Sequence, residues 1–125
     1  MDSAALLARL RAQREVWVPL DGDGGARSVC VRRPLEADFP KFIRGITTDH
    51  VVEYACDWRG FSEATLLGPA IGSPEPLEFD PALWSEYVRD HAEEVKLVAM
   101  AMVNAVQAHL KKREESAGNS SPSSN

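Results

Sequence analysis

His50-Val51-Val52-Glu53-Tyr54-Ala55-Cys56-Asp57-Trp58-Arg59-Gly60-Phe61 is the stretch whose reading decides the fold of this chain. Seven of its twelve positions are apolar or aromatic, the densest such cluster before the C-terminal third. A mid-chain segment this apolar is most simply the element on which both halves pack. Its period is ambiguous. Val51, Val52 and Ala55 fall on one helical face, whereas Val52, Tyr54 and Cys56 alternate as in a strand. Thr48-Asp49 as a start and Gly60 as a stop tilt the reading towards helix. Residues 48–57 stay open between the two.

Upstream, Ser3 is a candidate cap for a short helix with Leu6, Leu7 and Leu10 on one face and its arginines in water. Glu15 to Leu20 alternates and is rich in β-branched and aromatic residues, so it reads as a strand, with Pro19 marking an edge. Asp21-Gly22-Asp23-Gly24-Gly25 is a hairpin turn signal. Arg27 to Arg33 returns, with Val29 and Val31 on one face and Ser28, Cys30 and Arg32 on the other. Pro34 ends that strand. Asp38 then caps a short helix with Phe39, Phe42 and Ile43 inward, stopped by Gly45.

Downstream, Ser62 to Glu78 is a long connection carrying Gly68, Pro69, Gly72, Pro74 and Pro76, with a turn or two of helix near Ser62–Leu67. A connection of this length is commonly a working surface or a mobile one. Asp80-Pro81 is a clean helix start, a capping carboxylate followed by proline at the first helical position. Leu83, Trp84, Tyr87 and Val88 form its expected buried stripe. Asp90-x-x-Glu93 reads as a capping box that restarts a longer helix. Along that helix Val95, Val98, Ala99, Met102, Val106 and Leu110 share a face. Leu97, Met100 and Val103 lie off it, so the helix is either central in its own core or shared with another chain. The expectation is α+β: a small N-terminal β-hairpin and a mainly helical C-terminal part, one domain over 1–113. The polar tail over 114–125 has no aromatic or β-branched residue and is expected to be disordered.

The totals limit the function classes. A length of 125 residues suits one domain with its own core. Residues 1–45 hold eight Lys/Arg against six Asp/Glu, and residues 46–125 hold six against thirteen. An acidic chain without a basic stripe is a poor nucleic-acid binder. The longest apolar run, Leu97 to Val103, is too short to span a bilayer. The opening residues, Leu6, Leu7 and Leu10 broken by arginines, lack the apolar core of an export signal. Cys30 and Cys56 have no CxxC spacing, which fits a reduced compartment. A soluble, cytoplasmic protein is expected.

Candidate chemistry is thin. A turn reading outweighs a calcium reading for Asp21–Gly25, since the closing carboxylate and flanking helices of an EF-hand are missing. His50, Cys56 and Asp57 are close in sequence, the raw material of thiol catalysis, but no oxyanion motif accompanies them. A buried structural Cys56 is the better reading. His50, Cys56, His91 and His109 have no zinc-ligand spacing. Glu93 and Glu94 read as first-turn partners of the helix dipole. No catalytic residue, metal or cofactor is assigned.

The order Val51-Val52-Glu53-Tyr54, Asp57-Trp58-Arg59-Gly60-Phe61, then Pro76-Leu77-Glu78-Phe79-Asp80 and Leu83-Trp84, then an apolar helix and a Ser/Asn-rich tail, resembles the tail assembly chaperones of long-tailed bacteriophages. Val31-Arg32-Arg33-Pro34 is similar to their strand-then-arginine-proline element. The resemblance covers roughly residues 27–121. It implies a non-enzymatic protein of the bacterial host cytoplasm that binds the tape-measure protein and helps recruit tail-tube subunits, with a possible homo-oligomer. It makes Trp58, Gly60, Phe61, Phe79 and Trp84 the structural motif. Leu97, Met100 and Val103 are the candidate partner-binding residues. Two other classes stand beside it: a small structural virion protein (a tail-completion or connector subunit), and a small thiol enzyme using Cys56.

Overall fold

The computed structural model describes residues 2–21 and 26–120, with side chains through 117. The fold is α+β. Helix α1 spans Ser3–Ala12 and is capped by Asp2, whose carboxylate accepts from the Ala5 N–H at 2.7 Å. The cap thus lies one residue before Ser3. None of the residues of α1 is buried, and Leu6, Leu7 and Leu10 are about half exposed.

Strands β1 (Glu15–Pro19) and β2 (Ser28–Arg32) pair antiparallel with Trp17 opposite Cys30. The expected hairpin is there, but it is two thirds of a sheet. The third strand comes from the central stretch, which is helix and strand in succession: α2 over Thr48–Glu53 and β3 over Ala55–Arg59. The sheet order is β1-β2-β3, so Pro19 sits on an edge strand, where its missing N–H costs no ladder bond. Each period held for half of the stretch, with Tyr54 as the hinge between them. The cap is Thr47 rather than Thr48-Asp49. Its hydroxyl accepts from the His50 N–H at 3.2 Å, and His50 Nδ1 accepts from the Thr47 N–H at 3.0 Å.

Residues Glu36–Phe42 form a 3-10 helix with Leu35 as its uncapped start, and Asp38 lies inside it. Pro40 has no N–H to offer an α-helix. At three residues per turn, Phe39 and Phe42 share a side while Ile43 swings out, 83% exposed. Phe42 packs on His50 and Tyr54, with ring centroids 4.4 and 5.7 Å away.

Helix α3 covers Glu63–Leu67 and is closed by a reciprocal box between Ser62 and Thr65. The connection that follows is tied to itself. Ala64 N–H donates to Ser73 O at 2.9 Å, Leu77 N–H to Phe61 O at 2.8 Å, and Ser62 bridges Pro76. Helix α4 runs over Pro81–Arg89, and the Asp80 carboxylate accepts from the Ala82 and Leu83 N–H groups, as its Asp-Pro start requires. Trp84, Tyr87 and Val88 are buried, whereas Leu83, expected with them, is 42% exposed and turns towards α3.

Helix α5 spans Ala92–Ser120. The expected Asp90 capping box is replaced: the Asp90 N–H closes α4 onto Tyr87 and Val88, and the first bonds of α5 run to the His91 carbonyl. The helix also continues past Glu114, where the sequence predicts disorder. Extending a formed helix adds one bond per ordered residue, so exposed Glu114, Glu115 and Ala117 can prolong it without burial. Residues 121–125 of the predicted tail lie outside the described residues.

The core forms where α5 lies across the sheet, with α2 and α4 beside it. Val98 and Met102 of α5 are fully buried against Val18, Val29, Val31, Val51, Trp84 and Val88. Val95 and Ala99 flank them. The predicted inner stripe is thus seated in the core from Val95 to Met102, whereas Val106 and Leu110, further along it, are half-buried and outside that cluster.

Candidate functional site

The motif residues converge. Trp58 stacks on Phe61 with centroids 4.3 Å apart and planes 12° from parallel, and Phe79 meets the Trp58 ring edge-on at 5.4 Å. Phe61 in turn stands edge-on to Trp84 at 6.3 Å and to Tyr87 at 5.3 Å. The two indoles are also hydrogen-bonded: Trp58 Nε1 donates to Leu77 O at 2.8 Å, and Trp84 Nε1 to Val51 O at 3.3 Å. This satisfies the polar edge that makes a buried tryptophan costly. Gly60 supplies the left-handed turn, φ +80°, between Trp58 and Phe61. The group is structural, the fastening between β3, α4 and the connection.

The partner-binding candidates separate by exposure. Leu97 is 43% exposed and Met100 58%, whereas Val103 is half-buried. Leu97 and Met100 lie three residues apart and so form one row on the outer side of α5. The opposite side of that turn, Val98 and Met102, is sealed in the core.

The thiol constellation comes apart. His50 Nδ1 is engaged in the cap of α2, and among the described residues no hydrogen bond joins it to Cys56. Instead a β-bulge between Cys30 and Val31 of β2 leaves Cys56 as the extra residue of β3, because Asp57 faces Cys30 and Ala55 faces Val31. The bulge brings the two cysteines together, and Cys56 Sγ donates to Cys30 O at 3.5 Å. Burial pushes the Cys30 thiol up to about 12 and the Cys56 thiol upwards as well. Both are therefore neutral at ordinary pH and poor nucleophiles.

Glu15 joins these cysteines, the three ligand atoms lying within 4.8 Å of one another. Arg32 already holds Glu15 at 3.6 Å, and Cys56 Sγ is turned to the Cys30 carbonyl. The histidines of the discounted zinc set lie apart: His91 Nδ1 donates to Tyr87 O, while His109 pairs with Glu36.

One cluster was not foreseen. Arg27 bonds the Tyr87 hydroxyl, reaches Glu94 at 3.5 Å and Asp21 at 2.5 Å, and stacks over the Phe61 and Tyr87 rings. The Tyr87 hydroxyl donates to Glu94 at 2.7 Å. Burial, with Glu94 beside it, pushes the Tyr87 phenol up to about 12. The Arg27 guanidinium holds the Asp21 carboxyl below its usual range. Glu94 is thus the anchor of a clamp between the sheet and the helices, rather than only a dipole partner. Asp21 serves the clamp, and the remainder of the predicted Asp-Gly turn, 22–25, lies outside the described residues.

Two open grooves flank the molecule. One, of about 940 Å³, has Leu66, Leu67 and Leu83 on its walls with Glu63, Glu86 and Asp90 around them. The other, of about 780 Å³, is walled by Leu10 and Leu35 with Arg14, Arg33, Lys112 and Arg113. No described helix is long and apolar enough to cross a membrane. Comparison with known protein families, with curated proteins and with solved structures finds no match for this chain.

Proposed function

We propose that this protein is a non-enzymatic assembly chaperone that binds the tape-measure protein of a long-tailed bacteriophage and helps recruit tail-tube subunits, in the cytoplasm of the bacterial host. The observation that carries the reading is the division of α5. Val98 and Met102 seal the core while Leu97 and Met100, on the same two turns, stand in solvent. An apolar row on a rigid helix is the surface a long amphipathic helix packs against. A methionine within it adapts to varied partner side chains. The convergence of Trp58, Phe61, Phe79 and Trp84 supports the resemblance, since the residues that carry it act as one unit.

The test is co-expression with the tape-measure gene product of the same phage, followed by co-purification. Wild type retains the long helical protein in solution, and Leu97→Glu with Met100→Glu loses it while circular dichroism is unchanged. Retention by the folded double variant overturns the assignment of this surface. Recovery of the protein in purified phage particles would favour a structural virion subunit.

A further inference from the structure

We propose that copies of this chain join head to tail, the basic leucine surface of one seated in the acidic leucine groove of the next. The first observation is α1. It has ten residues, none buried, and exposes Leu6, Leu7 and Leu10 together. Helices of this length are marginal in water without a partner, so an apolar stripe on one is a surface to be covered. Leu10 continues into Leu35, half exposed, and the groove between them is ringed by Arg14, Arg33, Lys112 and Arg113. Glu36 answers Arg113 at 2.6 Å, which leaves a clear excess of positive charge.

The second observation is the groove between α3 and α4. Leu67 and Leu83 are 61% and 42% exposed on its walls, and Glu63, Glu86 and Asp90 surround them. Its only arginine, Arg89, is paired with Asp49 at 2.8 Å. The two surfaces are matched in apolar character and opposite in sign. Complementary fields of this kind select partner and orientation more than they add raw affinity.

A single chain cannot close this contact on itself. His91, at one groove, and Lys112, at the other, flank opposite parts of α5, about 30 Å apart at 1.5 Å per residue. A second copy can. Because the two surfaces differ, the contact is heterologous and leaves one of each unfilled on every pair, so association continues or closes as a ring. The Leu97–Met100 row belongs to neither groove and stays available, so this inference stands apart from the function proposed above.

Sedimentation velocity and light scattering on the full chain decide it. Wild type should show a mass that rises with concentration and falls with added salt. A helix variant, Leu7→Glu with Leu10→Glu, and a groove variant, Leu83→Glu with Leu67→Glu, should each associate on the order of 100-fold more weakly, with unchanged circular dichroism. Their equimolar mixture should recover a 1:1 dimer, because each supplies the surface the other lacks. If a variant is unfolded, the charge reversals Glu86→Arg and Arg14→Glu replace it. Each alone should associate more weakly, and their mixture should regain association beyond a dimer, because the reversed groove meets the reversed helix surface and the native groove the native one. Leu97→Glu with Met100→Glu should associate as wild type does. A wild type that stays monomeric at high concentration, or a mixture that stays monomeric, overturns the proposal. Monomers that bind vesicles of anionic phospholipid through α1 would assign that helix to lipid instead.

Discussion

Gly60 runs hard against Ala26: a β-carbon at Gly60 would stand 1.9 Å from the Ala26 carbonyl oxygen, at a φ of +80°. The contact is with backbone, so no side chain can rotate away to relieve it. Gly60→Ala should therefore destabilise by about 2–4 kcal/mol, combining left-handed strain with overpacking. Gly45 has a φ of +106° with nothing within 4 Å of an added β-carbon. Gly45→Ala should cost only the strain, about 1 kcal/mol. Urea titration of both variants checks this, and equal losses would refute the close approach.

Trp58 is 5% exposed, stacked on Phe61 and bonded to Leu77 O. Trp58→Ala should cost about 3–5 kcal/mol, the range for deleting a buried large aromatic. Trp58→Phe keeps a ring against Phe61 and loses the indole bond, so about 1–2 kcal/mol is expected. Chemical denaturation followed at 222 nm measures both. A loss below about 1 kcal/mol for the alanine variant would place the indole outside the core.

How much of this was legible in the sequence divides by range. The Asp80-Pro81 start and the Val95–Met102 part of the stripe are signals carried by residues a few positions apart, and both stand in the structure as the spacing predicts. The twelve-residue stretch at 50–61 misled because a helix and a strand share it, and a window long enough to show one period blurs both. The bulge that joins Cys56 to Cys30 depends on strand register, to which no single strand's sequence points. Period placed Leu6, Leu7 and Leu10 on one face of α1, but period does not say what covers a face. The Arg27–Tyr87 bond spans sixty positions, and nothing local announces it.

Arg27 and Tyr87 act on the same carboxylate, so their substitutions should not add. Arg27→Ala leaves Glu94, 12% exposed, without a cation and uncovers the Phe61 and Tyr87 rings. About 2–3 kcal/mol is expected for it, and about 1 kcal/mol for Tyr87→Phe. A double-mutant cycle should give a coupling of about 0.5–2 kcal/mol. Strict additivity would mean that the clamp is not a unit.

Glu36 ties the far end of α5 to the 3-10 helix through His109 at 2.5 Å and Arg113 at 2.6 Å. The His109 hydrogen bond, then Arg113, holds the Glu36 carboxyl below its ordinary 4.5. A depressed carboxyl stabilises the folded state above the unfolded value and loses that contribution as pH falls through the folded one. The thermal midpoint of wild type should therefore drop below pH 4.5 more steeply than that of Glu36→Gln. Parallel acid limbs would show that the pair does not hold the helix.

The alkaline side belongs to Tyr87. Burial, ahead of the Glu94 carboxylate that accepts its proton, lifts the phenol from 10.0 to about 12. A group whose folded value is raised stabilises the fold below its unfolded value, and that contribution is lost as pH climbs towards the folded one. Stability should thus fall between pH 10 and about 12, and Tyr87→Phe should remove that part of the slope. The chain has two tyrosines, and burial raises Tyr54 as well. Phenolate absorbance at 295 nm should therefore lag behind a free-tyrosine titration until unfolding, then rise steeply. In Tyr87→Phe the remaining signal, from Tyr54 alone, should lose its most alkaline component. If the most alkaline component survives that substitution, the raised phenol is Tyr54, and the Tyr87–Glu94 bond does not shield its proton.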